Sequence, residues 1–520
     1  MARWLRPVDH DQGCLLPADI RSWLPPGHLA WRVIEVTGQL DLAGFAAAYR
    51  ADGQGQAPYD PAMMTALLLY CYVKGIRSSR KIAAACVDDV GCRVICGGAA
   101  PSHQAVWQFI RRHRAEVRRL FVQVLSLLAA EGAVAGHAAA VDGSPVSGNA
   151  SRFANLDAEQ LVGRIAAAQA AIDAEAEAWL AGAAGADSQP PLPDGDGDDD
   201  DDPPPGTGPG GGVPRRLAAL AARLARLHAA QARLAERQAA APRGPAARVT
   251  AARDAADRAV ARLAAAEAAQ AAKVAKYQAA VADGKPWRYG KIPVPPERAA
   301  RVAAVRADLA TAQARLAAAL RAAAASPGKV SATDPDSRLV PAKNGGGWLQ
   351  GWNLQLTAAR RQILLAAELH DNPADAGALT AMIGAAAANC ELAGLAGQIR
   401  AWLADSGYAS AAAFKELDHL MLLVAVTREA TQTSPDSAAA AVPAGWQKMA
   451  ARLATPAGKK LYKRRARTVE PAFAQFFARF GRYLNYRGRD GADTEIKLLG
   501  AVHNLGKLLD YRRRHPALAT

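Results

Sequence analysis

Cysteine is sparse here, long apolar runs are missing and the few histidines are dispersed, and each of these shortages argues against a class of protein. The six cysteines, Cys14, Cys71, Cys86, Cys92, Cys96 and Cys390, show no repeated paired spacing. That argues against a zinc ribbon or a disulfide framework and fits a reducing compartment. Apolar stretches such as Met63 to Val73 stop well short of the roughly 20 residues that a membrane span requires. The N-terminus also lacks the charged-then-apolar pattern of an export signal, so a cytoplasmic protein with no membrane partner is expected. His103 and His113 are not spaced as a metal pair, and the glycine runs 210–212 and 345–347 lack the Gly-Lys-Ser/Thr ending of a phosphate loop. Neither a His-ligated zinc site nor ATP chemistry is implied.

What the chain does have is length and positive charge. Its 520 residues exceed the span of one ordinary core, at about 100–200 residues per domain. Lys and Arg number 63 against 48 Asp and Glu, a net charge of +15, with a pI near 9.7. A surplus of that size favours a polyanionic partner, nucleic acid first.

Texture divides the chain. Residues 1–130 read as short helices: Pro61 opens one, Ser78 or Ser79 caps the next, and Ser102 precedes a run with Val106, Phe109 and Ile110 on one side and Arg111, Arg112 and Arg114 nearby. Two readings stand, a helix-turn-helix type DNA-binding unit or a bundle with a solvated basic surface. At 137–146 a short apolar run contains one acid, Asp142, before the turn-forming Gly143, Ser144 and Pro145; this predicts a buried strand. A helix over 157–181 follows, then an acidic and Pro/Gly tract at 190–214, expected to be a disordered linker. Residues 215–325 are Ala-rich with Leu217, Leu220, Leu224 and Leu227 at helical spacing, which predicts a long, coiled-coil-like helical insertion. Its break carries Pro286, Trp287, Tyr289 and Lys291, a hairpin tip for packing or for DNA contact.

Alternation returns after 326. Strands are expected over 348–356, 362–369, 399–403 and 420–426, with a helix over 375–390. With the first strand these make an α/β fold: a mixed five-stranded sheet flanked by helices, in the strand and helix order of an RNase H-like domain. The catalytic domain would then be split over 131–189 and 326–520.

Three acids sit where such a sheet would gather them. Asp142 lies inside an apolar strand, where an unpartnered carboxylate is costly. Asp405 ends the run 399–403 and is followed by Ser406, Gly407 and Tyr408. Glu470 begins a helix expected over 469–480, directly after the basic stretch Lys459, Lys460, Lys463, Arg464, Arg465 and Arg467. Phosphoryl transfer on DNA with two Mg²⁺ ions needs carboxylates of this kind, remote in sequence and converging in space.

Several blocks in order resemble the DDE transposases of bacterial insertion sequences, in the branch with a Tyr-Arg-Glu-Lys signature around the last acid, the insertion sequence 1182 type. Ala140-Val141-Asp142-Gly143-Ser144 with Gly148-Asn149-Ala150-Ser151 is similar to the first-acid block, and Asp334-Pro335-Asp336-Ser337-Arg338 with Gly351-Trp352-Asn353-Leu354-Gln355 to the second-strand block. Ala404-Asp405-Ser406-Gly407-Tyr408 resembles the second-acid block, and Tyr462, Arg465, Val469-Glu470-Pro471 and Phe473 the third. Arg487-Gly488, Glu495 and Asn504-Leu505-Gly506-Lys507-Leu508 resemble the closing helices.

The resemblance implies that Asp142, Asp405 and Glu470 hold two Mg²⁺ ions, with Mn²⁺ able to substitute. It implies that Tyr462 and Arg465 contact DNA near the cleaved end, with Arg338 and Asn353 as neighbours. It also implies DNA partners (terminal inverted repeats and target) and a homodimer or larger assembly on paired ends. One departure stands out: the signature's Lys falls on Phe476 or Phe477, with Arg479 near in sequence. Lys463, Arg479 and Arg482 are further candidate DNA contacts. Arg479, Arg482, Arg487 and Arg489 are interleaved with Phe480, Tyr483 and Tyr486, as in phosphate contact with base stacking or as in a helix with an aromatic core face. Arg512, Arg513 and Arg514 read as solvated. Two other functions remain open: an RNase H-like nuclease or inactive relative, and a non-catalytic DNA-binding scaffold.

Overall fold

The computed structural model describes residues 19–49, 57–181, 215–240, 245–284, 291–325, 328–343, 347–375, 377–426 and 444–516. The expected linker 190–214 and the tip residues Pro286, Trp287 and Tyr289 lie outside the described residues. Contacts divide the chain into two compact units, one of residues 1–152 with 337–520 and the other of residues 153–336. The boundaries expected from the sequence are 130/131, 189/190, 214/215 and 325/326. The N-terminal helices instead share a unit with the sheet, and the helix after the first strand goes with the insertion.

The first unit begins with α1 (Leu29–Thr37), α2 (Ala43–Ala47), α3 (Pro61–Val73), α4 (Ser79–Asp88), α5 (Val90–Ile95), α6 (His103–Arg112) and α7 (Arg114–Ala130). Asp60 caps α3 by accepting the Ala62 N–H, with Pro61 at the first position, where a missing N–H costs nothing. The run from Met64 to Tyr72 in α3 is buried all round, so this helix is the centre of the bundle. Ser102 caps α6, which turns Val106, Phe109 and Ile110 inward and leaves Arg111 and Arg112 exposed. Ser78 stands at the start of α4 without a side-chain capping bond. Strand β1 (Ala138–Ser147) follows.

The second unit is closed by a short antiparallel ladder of β2 (Asn155–Leu156) and β3 (Val330–Ser331). Between them run α8 (Ala158–Leu180), α9 (Arg215–Ala240), α10 (Pro245–Ala282) and α11 (Ala300–Ala325). A capping box of Asp157 and Gln160 starts α8. It packs along α9 around Leu161, Ala168, Leu227, Ala230 and Leu234, and α10 packs along α11.

The chain then forms β4 (Arg338–Pro341), β5 (Trp348–Ala358), β6 (Leu364–His370), α12 (Ala378–Leu392), β7 (Ala401–Ala404), α13 (Ala411–Glu416), β8 (Met421–Val424), α14 (Ala444–Ala454), α15 (Pro456–Tyr462), α16 (Arg464–Phe480) and α17 (Gly488–Arg514). The five expected strands lie in one mixed sheet, and β4 joins them as a sixth. In this sheet β5 pairs antiparallel with β1 on one edge and with β6 and β4 on the other, and β1, β7 and β8 run parallel in that order. The short run of β4 ends on Pro341, which lacks the N–H of a ladder donor, so it carries no alternation to read.

Helices cover the sheet: α16 packs on β1 and β5, α12 on β5 and β6, and α17 on β6 and α7. Asn504 of α17 docks like a strand edge, its Nδ2 donating to the Leu364 carbonyl (2.8 Å) and its Oδ1 accepting the Leu364 N–H (2.9 Å). Arg512, expected in water, is buried and reaches Glu35, Gln39 and Glu131. No helix among the described residues is long and apolar enough to cross a membrane.

Candidate active site

Ala139, Ala140 and Val141 of β1 are buried before Asp142, because the strand is flanked by β5 and β7. The parallel ladder with β7 ends at Ala140 opposite Leu403. Asp142 and Asp405 each follow two residues later, so period-two alternation brings them to the same face at the same level. Burial raises the Asp142 carboxyl above its ordinary value and the Asp405 charge adds to the rise; the Gly143 N–H and the charges of Lys343 and Arg465 oppose it. Asp142 Oδ1 accepts the Gly143 N–H (2.9 Å), and Asp405 Oδ1 accepts the Gly407 N–H (2.9 Å) at the turn after β7.

The third acid arrives on α16. Arg465, in its first turn, lies between two carboxylates: Nη1 is 3.6 Å from Asp142 Oδ2 and Nη2 is 3.7 Å from Glu470 Oε1. These are charge contacts, too long for good hydrogen bonds. The buried Nη1 has no hydrogen-bond acceptor. Tyr462, at the end of α15, donates its hydroxyl to the Ala404 carbonyl (3.2 Å). Its own ionisation is pushed up, chiefly by burial, with the Asp405 and Asp142 charges adding and Arg465 opposing. Asp142, Asp405, Tyr462, Arg465 and Glu470 therefore occupy one neighbourhood.

Asn353 belongs to the same construction. Its Nδ2 donates to Asp375 Oδ1 (3.0 Å), as does Gln355 Nε2 (2.6 Å), and the Tyr408 hydroxyl donates to Gln355 Oε1. Asp375 is a fourth carboxylate beside the strand: a Cβ at Gly143 would stand 2.0 Å from Asp375 Oδ1. Lys343 donates to the Gly143 carbonyl (3.1 Å) and lies over the Phe473 ring. Sequence reading missed both Asp375 and Lys343. The only signal for Asp375 was an acid shortly after the third expected strand, in a stretch assigned to the start of a helix.

The remaining sequence candidates are distributed around this core. Arg482 Nη1 donates to Ser144 Oγ (3.0 Å), two residues along β1 from Asp142, and its guanidinium lies 3.9 Å from the centre of the Phe477 ring. Phe476 and Phe477, where the resemblance places a Lys, are buried core residues. Arg479, three residues before Arg482, lies instead against Gly506 of α17. Lys463 is exposed at the junction of α15 and α16. Arg338 opens β4 opposite Gly351, whereas Asp142 faces Leu356. Glu495 is fully buried, accepts the Asn485 and Tyr486 N–H groups and faces Arg77 at 3.8 Å, so its place is structural.

The donor set bears on metal binding. Asp142 and Asp405 offer hard carboxylate oxygens side by side, which suits a divalent cation of the Mg²⁺ kind. No group of three His, Cys, Asp or Glu side chains among the described residues is drawn close enough to hold an ion; Glu470 and Asp142 contact different nitrogens of the Arg465 guanidinium.

Residues 18–112 match the model of a transposase domain (DUF772), and residues 438–509 match the model of a transposase DDE domain. Both matched models are of transposases. The DDE match takes in Tyr462, Lys463, Arg465, Glu470, Arg479 and Arg482, and the other takes in α1 to α6. Neither reaches Asp142 or Asp405, so for these the transposase assignment stands on position. No curated protein and no solved structure matches the chain.

Proposed function

We propose that this chain is a DDE transposase with an RNase H-like catalytic core, of the insertion-sequence type with the Tyr-Arg-Glu signature. One observation carries the reading: Asp142 and Asp405 each stand two residues past the end of the ladder between the parallel strands β1 and β7, and Arg465 lies within charge contact of both Asp142 and Glu470. The strand arrangement, with β5 antiparallel to β1 and with β7 and β8 parallel to it, supports the fold assignment. The two transposase matches support the family.

In this reading Asp142 and Asp405 would hold the cation, and Glu470, here facing Arg465, would join them when DNA is bound. Mg²⁺, or Mn²⁺ in its place, supplies when bound an activated nucleophilic oxygen and a stabilised leaving oxygen. Burial of Asp142 beside the Asp405 charge makes ionisation of Asp142 unfavourable without a cation, which favours its uptake. Arg465, with an unused buried donor, binds a phosphate oxygen beside the acids, and Tyr462 positions the backbone near the cleaved end. Lys343 neutralises charge at Asp142, and Asn353 and Gln355 orient Asp375 toward β1. Arg482 keeps a cation where the resemblance places a Lys, and Arg338, Lys463 and Arg479 contribute further DNA contacts.

The reaction is hydrolysis at the ends of a mobile element, then attack of the freed 3′-hydroxyl on target DNA. The partners are terminal inverted repeats, target DNA and a second copy of the chain, in the cytoplasm. Asp142→Asn is expected to reduce Mg²⁺-dependent cleavage of end-bearing DNA by at least a thousandfold while DNA affinity is kept. A fully active Asp142→Asn protein would sink the assignment.

A further inference from the structure

Away from the carboxylates the first unit contains a cavity of about 760 Å³ between the end of α3, the turn joining β5 to β6, α16 and α17. Four cationic side chains line it, Lys74, Arg479, Lys507 and Arg514, with one acid, Asp510. Lys74 pairs with Asp89, and Asp510 pairs with Arg513. Arg479 and Lys507 make no ion pair among the described residues, and they repel one another: burial lowers the Lys507 ammonium first, and Arg479 and Arg514 lower it further against the pull of Asp510.

The wall of this cavity is held in an unfavourable backbone form. Arg361 and Gln362 have φ of 65° and 59°, left-handed values that cost a non-glycine residue on the order of 1 kcal/mol or more. Gln362 is fixed there by three neighbours. Its carbonyl accepts from His503 Nε2 (2.8 Å), and its side-chain oxygen accepts from Lys507 Nζ (3.5 Å) and Gln475 Nε2 (3.4 Å). Lys507 Nζ also donates to Gln475 Oε1 (2.5 Å). A strained turn pinned by contacts beneath unpaired cations is a preorganised concave site short of negative charge. The direction of the sheet separates it from the acids, because the β5–β6 turn lies beyond the start of β1 while Asp142 and Asp405 lie past Ala140 and Leu403.

We propose that this cavity is a second phosphate site, in which Arg479, Lys507 and Arg514 take a backbone phosphate group of DNA bound along the first unit. The inference rests on DNA being the partner, as in the reading above, and assigns Arg479 to this cavity instead of to the carboxylates. Each phosphate neutralised by the protein adds about 0.9 to the slope of log affinity against log salt. The test is fluorescence anisotropy of the full chain with a double-stranded oligonucleotide over a salt series, for wild type, Arg479→Gln with Lys507→Gln, and Arg479→Lys with Lys507→Arg. The glutamine pair is expected to flatten the slope by about 0.9, the share of one phosphate, and weaken binding at low salt at least tenfold, with the charge-conserving pair near wild type. Near-UV circular dichroism and a melting curve verify that each variant is folded. An unchanged slope in a folded glutamine variant overturns the second site and leaves the transposase reading standing. Failure of the wild type to bind DNA overturns both. Inorganic phosphate stabilising wild type alone, with equal DNA slopes, would assign the cavity to a small free anion and overturn its assignment to DNA.

Discussion

Asp142 illustrates how a single side chain reports its role. Its carboxyl is raised in the folded protein, so its ionisation opposes folding, and that opposition is absent at acid pH and present in full once pH passes the folded pKa. At neutral pH, Asp142→Asn is therefore expected to raise the melting temperature slightly in the absence of metal. Millimolar Mg²⁺ should raise it in wild type, by about 2.7 kcal/mol of stability when the ion reaches a hundred times its dissociation constant, and not in the variant. Equal Mg²⁺ shifts in the two proteins would remove Asp142 from the ion's site.

His503 works in the opposite direction. It is almost completely buried, and burial lowers its pKa to about 4. The unfolded chain binds its proton first on acidification, so stability falls as pH drops from about 6.5 toward about 4, by roughly 3 kcal/mol from this group. His503→Gln should flatten that part of the pH–stability curve in chemical denaturation, and an unaltered curve would refute the account. Asp142, Asp405 and Glu470 stand out in the sequence as candidates because each is a charge where the local pattern wants an apolar residue, a turn or a cap. Asp375 and Lys343 were not, because nothing local distinguishes them; Asn353, Gln355 and the backbone of Gly143, all remote, place them beside β1.

At the scale of elements, α17 shows how a helix can complete a sheet. Asn504 is buried and satisfies both backbone groups of Leu364 at the start of β6. Asn504→Leu would leave a buried N–H and a buried C=O without partners, at about 1–3 kcal/mol each. The variant is expected to lose a few kcal/mol in urea unfolding and to exchange the Leu364 amide faster. A midpoint unchanged within error would mean that α17 is held by its apolar contacts alone. The long strands and helices were readable from their periodicity, as with the buried stripe Val106, Phe109 and Ile110 of α6. Strand β4 escaped notice because four residues ending in proline carry no period, and its partner Trp348–Gly351 supplies what its own pattern lacks.

For the whole molecule, the hardest feature to read was which segments share a core. The N-terminal helices look self-sufficient in sequence, yet α7 packs along α17 and Arg512 closes the gap to Glu35 and Glu131, so they form one unit with the sheet. The long Ala-rich helices were evident from their leucine spacing, while the return of the chain through β2 and β3 depends on a two-residue ladder that composition does not announce. The same interruption has a consequence for biosynthesis. Ser144 waits for Arg482, which lies 338 residues later, and a ribosome adding about 5–20 residues per second takes roughly 17–70 s to reach it. For the first part of that interval β1 has neither neighbouring strand, since β5 (Trp348–Ala358) and β7 (Ala401–Ala404) lie more than 200 residues further along the chain. The nascent chain thus carries an unpaired, aggregation-prone edge until late in translation, and cellular output of the finished protein should depend on chaperones that shield it in the meantime.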